Sequence, residues 1–118
     1  MRVMIAAVLL ICLLPPVVWA DDTVAEIDYL LSSIGSSNCT FIRNGKRYNS
    51  RDAEAHLRMK YRQGKRYASS SENFISRLAS TSSISKKPYY MECDGKERVP
   101  SGDWLRQRLD EYRARLDE

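Results

Sequence analysis

Four residues, Ser83-Ile84-Ser85-Lys86, carry the S-x-x-K spacing in which a lysine one helical turn after a serine can activate its hydroxyl. Pro88 follows two residues later and works against such a helix. The companion S-D-N and K-T-G motifs are absent from the sequence. His56 is the only histidine, hence the only imidazole that could serve as a base near neutral pH. Paired with a serine between positions 80 and 85 it could support hydrolysis, but no carboxylate is tied to it by spacing. Asp52 with Glu54, and Glu92 with Asp94, are carboxylates two apart. Neighbours two apart on a helix face different ways, so these read as caps and surface charge. One histidine and no C-x-x-C spacing make a metal site improbable, and no cofactor-binding motif is present. No catalytic residue is therefore assigned.

Positive charge offers a different chemistry. Nine basic residues fall between Arg43 and Arg66, opposed only by Asp52 and Glu54. A local field of this kind attracts anions. On a helix, Arg58, Arg62, Lys65 and Arg66 are spaced for one cationic side.

The ends of the chain set the compartment in which such groups would work. Met1-Arg2 precedes an uncharged run from Val3 to Leu14, then Pro15-Pro16-Val17-Val18-Trp19-Ala20 and Asp21-Asp22. A basic start, an apolar stretch and a small-residue exit describe a secretory signal peptide, cut after Ala20. The apolar run is too short to cross a bilayer comfortably, so no stable membrane span is expected after cleavage. Cys12 belongs to this leader. The domain is then residues 21–118, placed in the periplasm or secreted. Its anionic neighbours there are acidic envelope polymers, lipid phosphates and acidic proteins. Nucleic acid is not an expected partner, since no basic groove studded with aromatics is visible.

The mature chain keeps two cysteines, Cys39 and Cys93. In an oxidising compartment an even pair is most simply one disulfide.

The elements that must position these groups follow from periodicity. Thr23 to Ile34 reads as a helix with a capping box at Thr23–Glu26 and an apolar stripe of Val24, Ile27, Leu30, Leu31 and Ile34, ended by Gly35-Ser36-Ser37-Asn38. Cys39 to Arg43 has strand character, Asn44-Gly45 is a tight hairpin turn, and Lys46-Arg47-Tyr48 returns. Asn49 or Ser50 caps a second helix, which Gly64 stops. Ser69-Ser70-Ser71-Glu72 opens a third as a capping box. The hydroxyl-rich Ser80–Ser85 segment is a loop. Tyr89 to Cys93 is a third strand, Val99-Pro100 is extended, and Ser101 caps a last helix with the stripe Trp104, Leu105, Leu109, Tyr112 and Leu116. The fold expected is a small single α+β domain. About four helices pack on a short antiparallel sheet of about three strands, with one disulfide tying the first strand to the third.

Taken in order, Phe41-Ile42-Arg43-Asn44-Gly45, Ala55-His56-Leu57-Arg58-Met59-Lys60, Glu72-Asn73-Phe74-Ile75 and the run from Ala79 through Ser85-Lys86-Lys87-Pro88 to Tyr89 resemble the YfeK-like family. These are short bacterial proteins with a signal peptide and a domain of unknown function. Lys86 and Lys87 depart from the pattern, the first standing where a glycine-like turn residue is expected. The resemblance implies a periplasmic location and no activity. It singles out the polar residues Arg43, Asn44, His56, Lys60, Ser82, Ser83 and Tyr89 as candidate binding residues. Arg43, His56 and Lys60 could make an anion site beside the serine loop. The leading expectation is a non-enzymatic accessory or binding protein that recognises an anionic envelope component or a partner through its basic face. An inhibitor or immunity-type protein acting against a secreted enzyme, and a small hydrolase using His56 with a loop serine, are the alternatives.

Overall fold

The computed structural model describes residues 19–118, with side chains from Asp22 onward. The element order is α1 (Trp19–Ser36), β1 (Thr40–Arg43), β2 (Lys46–Tyr48), α2 (Ser50–Gln63), a single 3-10 turn (Lys65–Tyr67), α3 (Ser71–Leu78), β3 (Tyr90–Glu92), β4 (Val99–Pro100) and α4 (Ser101–Leu116). The expected leader lies outside the described residues except for Trp19 and Ala20, which lie in α1.

The sheet has four strands in the order β2-β1-β3-β4, every pair antiparallel. The extended Val99-Pro100 segment supplies the fourth by pairing with Met91 and Tyr90. At the hairpin, Asn44 and Gly45 take φ of 52° and 77°, the positive values a two-residue antiparallel turn demands. Thr40 lies opposite Glu92, so Cys39 and Cys93 face each other one step past the ladder, and they form the disulfide with their Cα atoms 4.3 Å apart.

One core fills the space between the helices and the sheet. Ile27, Leu30, Leu31 and Ile34 of α1 meet Leu57 of α2, Phe74 and Ile75 of α3, Leu105 and Leu109 of α4, and Phe41, Tyr89 and Met91 from the sheet side. Burial of an apolar side chain of this size stabilises by roughly 1.5–3 kcal/mol. Val24 and Leu116, expected on the apolar stripes, are exposed.

Several local signals act in a different place from where they were expected. The helix is described from Trp19, so Thr23 is interior and caps nothing. Glu26 instead accepts from Arg113 at 2.7 and 2.9 Å and from Ser71 at 2.7 Å, joining α1, α3 and α4. Its carboxyl is held below the usual range by the Arg113 hydrogen bonds, against an opposing push from burial. Gly35 does not stop α1. A side chain there would collide with Glu54 of α2, so its smallness serves helix–helix approach. The cap of α3 is Ser70, whose hydroxyl accepts from Asn73 N–H at 3.0 Å, one residue later than the box read from Ser69. Ser101 lies inside α4, and Pro100 takes the cap position. For α2 the cap is Asn49, accepting from Asp52 N–H at 2.8 Å, and Gly64 closes the far end through its N–H to Lys60 O.

Candidate anion-binding groove

β1 and α2 bring the first candidates together. Phe41 and Arg43 are two apart on β1 and share the sheet face that meets α2. Arg43, the last residue of the strand, points its guanidinium between the Tyr48 ring, 5.2 Å away, and the imidazole of His56. Arg43 Nη1 lies 3.0 Å from Nδ1 and 2.9 Å from Nε2 of His56. A neutral imidazole has one nitrogen lone pair to accept with, so Arg43 donates to whichever nitrogen is bare. His56 is pushed down to about 4, first by burial and then by the charges of Arg43 and Lys60. Arg43 Nε is buried without a partner among the described residues.

Lys60 follows His56 one turn later on the same flank of α2. Its ammonium donates to the Tyr89 hydroxyl at 3.0 Å and to Thr81 O at 3.1 Å, and it stands 4.9 Å from the Tyr89 ring centre. Burial first, then the charges of Arg43 and Lys86, lower it to about 8. Tyr89 is buried against Phe41, and burial holds its phenol above the usual value.

Two hollows border these groups. A pocket of about 210 Å³ is lined by Phe41, Arg43, Tyr48, Asp52, Ala53 and His56. A wider groove of about 430 Å³ runs past Lys60, Gly64, Tyr67, Arg77, Thr81, Ser83 and Lys86. Three of those residues are cations, and none of the eight ion pairs among the described residues engages them. Several acids are committed elsewhere. Glu92 takes Arg47 and Arg98, Glu54 and Asp28 take Arg58, and Glu26 and Glu72 take Arg113.

The structure thus gathers Arg43, His56, Lys60 and Tyr89 and leaves the other three candidates in supporting positions. Asn44 accepts from the Ser85 hydroxyl, tying the hairpin to the serine loop. Ser82 is buried and accepts from Ser85 N–H at 3.3 Å. Ser83 is exposed on the groove rim. The S-x-x-K segment is a turn, with Lys86 at a φ of 63°, so Ser83 and Lys86 are not stacked as on a helix. His56 has both ring nitrogens against Arg43, and no serine hydrogen-bonds to it among the described residues.

The cationic side expected along Arg58, Arg62, Lys65 and Arg66 does not form as one surface. Arg58 turns towards α1, donating to Glu54 at 2.8 Å, Asp28 at 3.0 Å and Ser32 at 3.1 Å. Lys65 and Arg66 lie past Gly64 in the 3-10 turn, over the rings of Tyr61 and Tyr67. The uncompensated cations sit on the opposite flank of α2. Arg77 and Tyr67 were not read from the sequence, because only the packing of α3 on α2 brings them beside Lys60.

Among the described residues no cluster of metal-ligating side chains occurs, and no helix is long and apolar enough to cross a membrane. No solved structure matches the chain. It is 35% identical over 92 residues to the "Uncharacterized protein YfeK" of Salmonella typhimurium strain LT2, covering 75% of each chain. The model of a family of unknown function, DUF5329, matches residues 21–113, nearly the whole of the α+β domain just described, and the chain belongs to that family.

Proposed function

We propose that this is an exported, periplasmic, non-enzymatic protein that recognises an anionic envelope component in the groove between α2, α3 and the serine loop. One observation carries the reading: Lys60, Arg77 and Lys86 border a single groove, and no carboxylate pairs with any of them among the described residues. Like charges held together without a counter-ion raise the local potential, and an incoming anion relieves it. The lowered value of Lys60 comes from burial first, then from Arg43 outside the groove and from Lys86 on its border. Tyr67 offers an aromatic face, and Ser83 and Thr81 bring hydroxyls, which suits a phosphorylated or acidic sugar. Export is supported by the leader pattern, by the Cys39–Cys93 bridge and by a family match that begins at residue 21, where the expected cut falls.

The test is titration of the exported protein with inorganic phosphate and with heparin as a model acidic glycan, followed by amide and side-chain NMR shifts. Saturable shifts centred on Lys60, Arg77 and Lys86, weakened roughly five- to tenfold in Lys60→Met and by raised salt, are expected. Shifts that never saturate, or that spread evenly over all basic residues, would remove the groove as a site. The mass of the periplasmic protein should begin at Asp21.

A further inference from the structure

The loop between α3 and β3 places a large apolar side chain where nothing covers it. Ile84 is 95% exposed, the most exposed large hydrophobic residue among the described residues. An exposed isoleucine on a slack loop would mean little. This loop is held from several directions. Ser82 N–H donates to Lys87 O at 2.9 Å and Lys86 N–H to Ser82 O at 3.0 Å, closing the turn on itself. The buried Ser82 hydroxyl accepts from Ser85 N–H, and the Ser85 hydroxyl reaches Asn44 in the β1–β2 turn. Below the turn, Thr81 bridges Pro88, and Lys60 donates to Thr81 O at 3.1 Å. The backbone under Ile84 is therefore fixed before any contact is made.

We propose that Ser82–Lys87 is a recognition loop that seats Ile84 in an apolar socket on a partner protein whose rim is acidic. A preorganised loop spends little ordering entropy on binding, and a single buried anchor can carry much of an interface. The acidic rim follows from charge. Lys86 and Lys87 flank the tip, and no Asp or Glu occurs from Asn73 to Met91. A lipid surface is a poorer fit, since one isoleucine without an aromatic neighbour at the tip inserts little apolar area. A second copy of this chain is poorer still. A hollow of about 510 Å³ beside the disulfide is lined by Lys96 and Arg108 as well as Glu97 and Glu111, so it offers the cationic tip no net attraction. Ile84 itself does not line the groove, although Ser83 and Lys86 of the same loop do.

The experiment places a photo-crosslinking side chain at position 84 of the full exported chain, with position 116 as control, since Leu116 is also exposed but lies at the end of α4. The protein joined at 84 is then purified and titrated with the unmodified chain and with two variants. Ile84→Asp should weaken binding roughly thirtyfold with an unchanged Tm. Asn44→Ala keeps Ile84 but frees the Ser85 tether, and should weaken it severalfold. Raised salt should weaken all three. Equal affinity of Ile84→Asp and the parent, identical products from positions 84 and 116, or products at 84 confined to lipid, to a second copy or to nothing would each overturn the proposal. Loss of phosphate or heparin binding in Arg77→Met, with partner affinity retained, would separate this surface from the groove, since Arg77 borders the groove and makes none of the contacts that hold the loop.

Discussion

Arg43 Nη1 rests within 3.0 Å of both ring nitrogens of His56, so the histidine is solvated by a permanent cation rather than by a carboxylate. That arrangement fixes its protonation state. An imidazolium facing a guanidinium with Lys60 one turn away is unfavourable, and burial adds to the penalty. His56 is therefore an acceptor for Arg43, and a poor general base.

The pH dependence of stability follows. The folded-state pKa of His56 is about 4, below the ordinary 6.5. Above 6.5 the group is neutral in both states and costs nothing. As pH falls from 6.5 towards 4 the unfolded chain takes a proton that the folded one refuses, so stability is lost across that window. Allowing for solvent screening at a partly exposed site, the loss is roughly 1–2 kcal/mol. Urea midpoints at pH 7.5 and 4.5 should differ more for the parent than for His56→Gln. Equal pH sensitivity in the two proteins would contradict the assignment.

Lys60 acts at the other end of the scale. Its pKa falls to about 8 from 10.5. Between those values the unfolded chain holds the extra proton, so stability rises as pH climbs from 8 to 10.5. Anion binding has the opposite slope, since the groove loses one of its three bordering cations as Lys60 deprotonates. Affinity for inorganic phosphate should decline through pH 8 in the parent and lose this step in Lys60→Met. The same step in both would place the titrating group elsewhere.

These groups show what a linear sequence carries and what it does not. The Asn44-Gly45 turn, the Asn49 cap and the Gly64 stop were legible because each is settled by backbone geometry within a few residues. The apolar stripe of α1 from Ile27 to Ile34 was legible because burial repeats with the helical period. The proximity of Arg43, His56 and Lys60 was suggested by family resemblance and the Arg43–His56 contact needed the β1–α2 packing to appear. Arg58 was misread because its partners Asp28 and Ser32 lie on α1, thirty residues away in sequence or nearly so. Arg77 was missed for the same reason. Charge spacing along one helix says which side chains are neighbours, and nothing about which neighbouring helix neutralises them.

The disulfide spans a sequence separation of 54 residues. Cross-linking a loop of that length removes chain entropy worth about 4 kcal/mol from the unfolded state. A domain of this size has a net stability of only about 5–15 kcal/mol. Cys39→Ala with Cys93→Ala should therefore lower the unfolding free energy by about 3–4 kcal/mol, read from urea curves. Reductant should do the same to the parent and nothing to the variant. A double variant as stable as the parent would mean that sheet pairing alone holds β1 against β3.

Ser101 gives a sharper test of how the helices are joined. Its side chain is fully buried, and its hydroxyl donates to Ala79 O at 2.6 Å while its N–H donates to Tyr89 O at 2.9 Å. The hydroxyl thus serves the carboxyl end of α3, where carbonyls lack helical partners, and not the amino end of its own helix. A cap for α4 would leave exposed N–H groups to water when removed, at modest cost. A buried carbonyl left without a donor loses about 1–3 kcal/mol instead. Ser101→Ala should lower stability by about 2 kcal/mol, and the amides following Ala79 should show faster hydrogen exchange than those at the start of α4. Faster exchange confined to the first turn of α4 would assign the hydroxyl the capping role that its position in the sequence suggests.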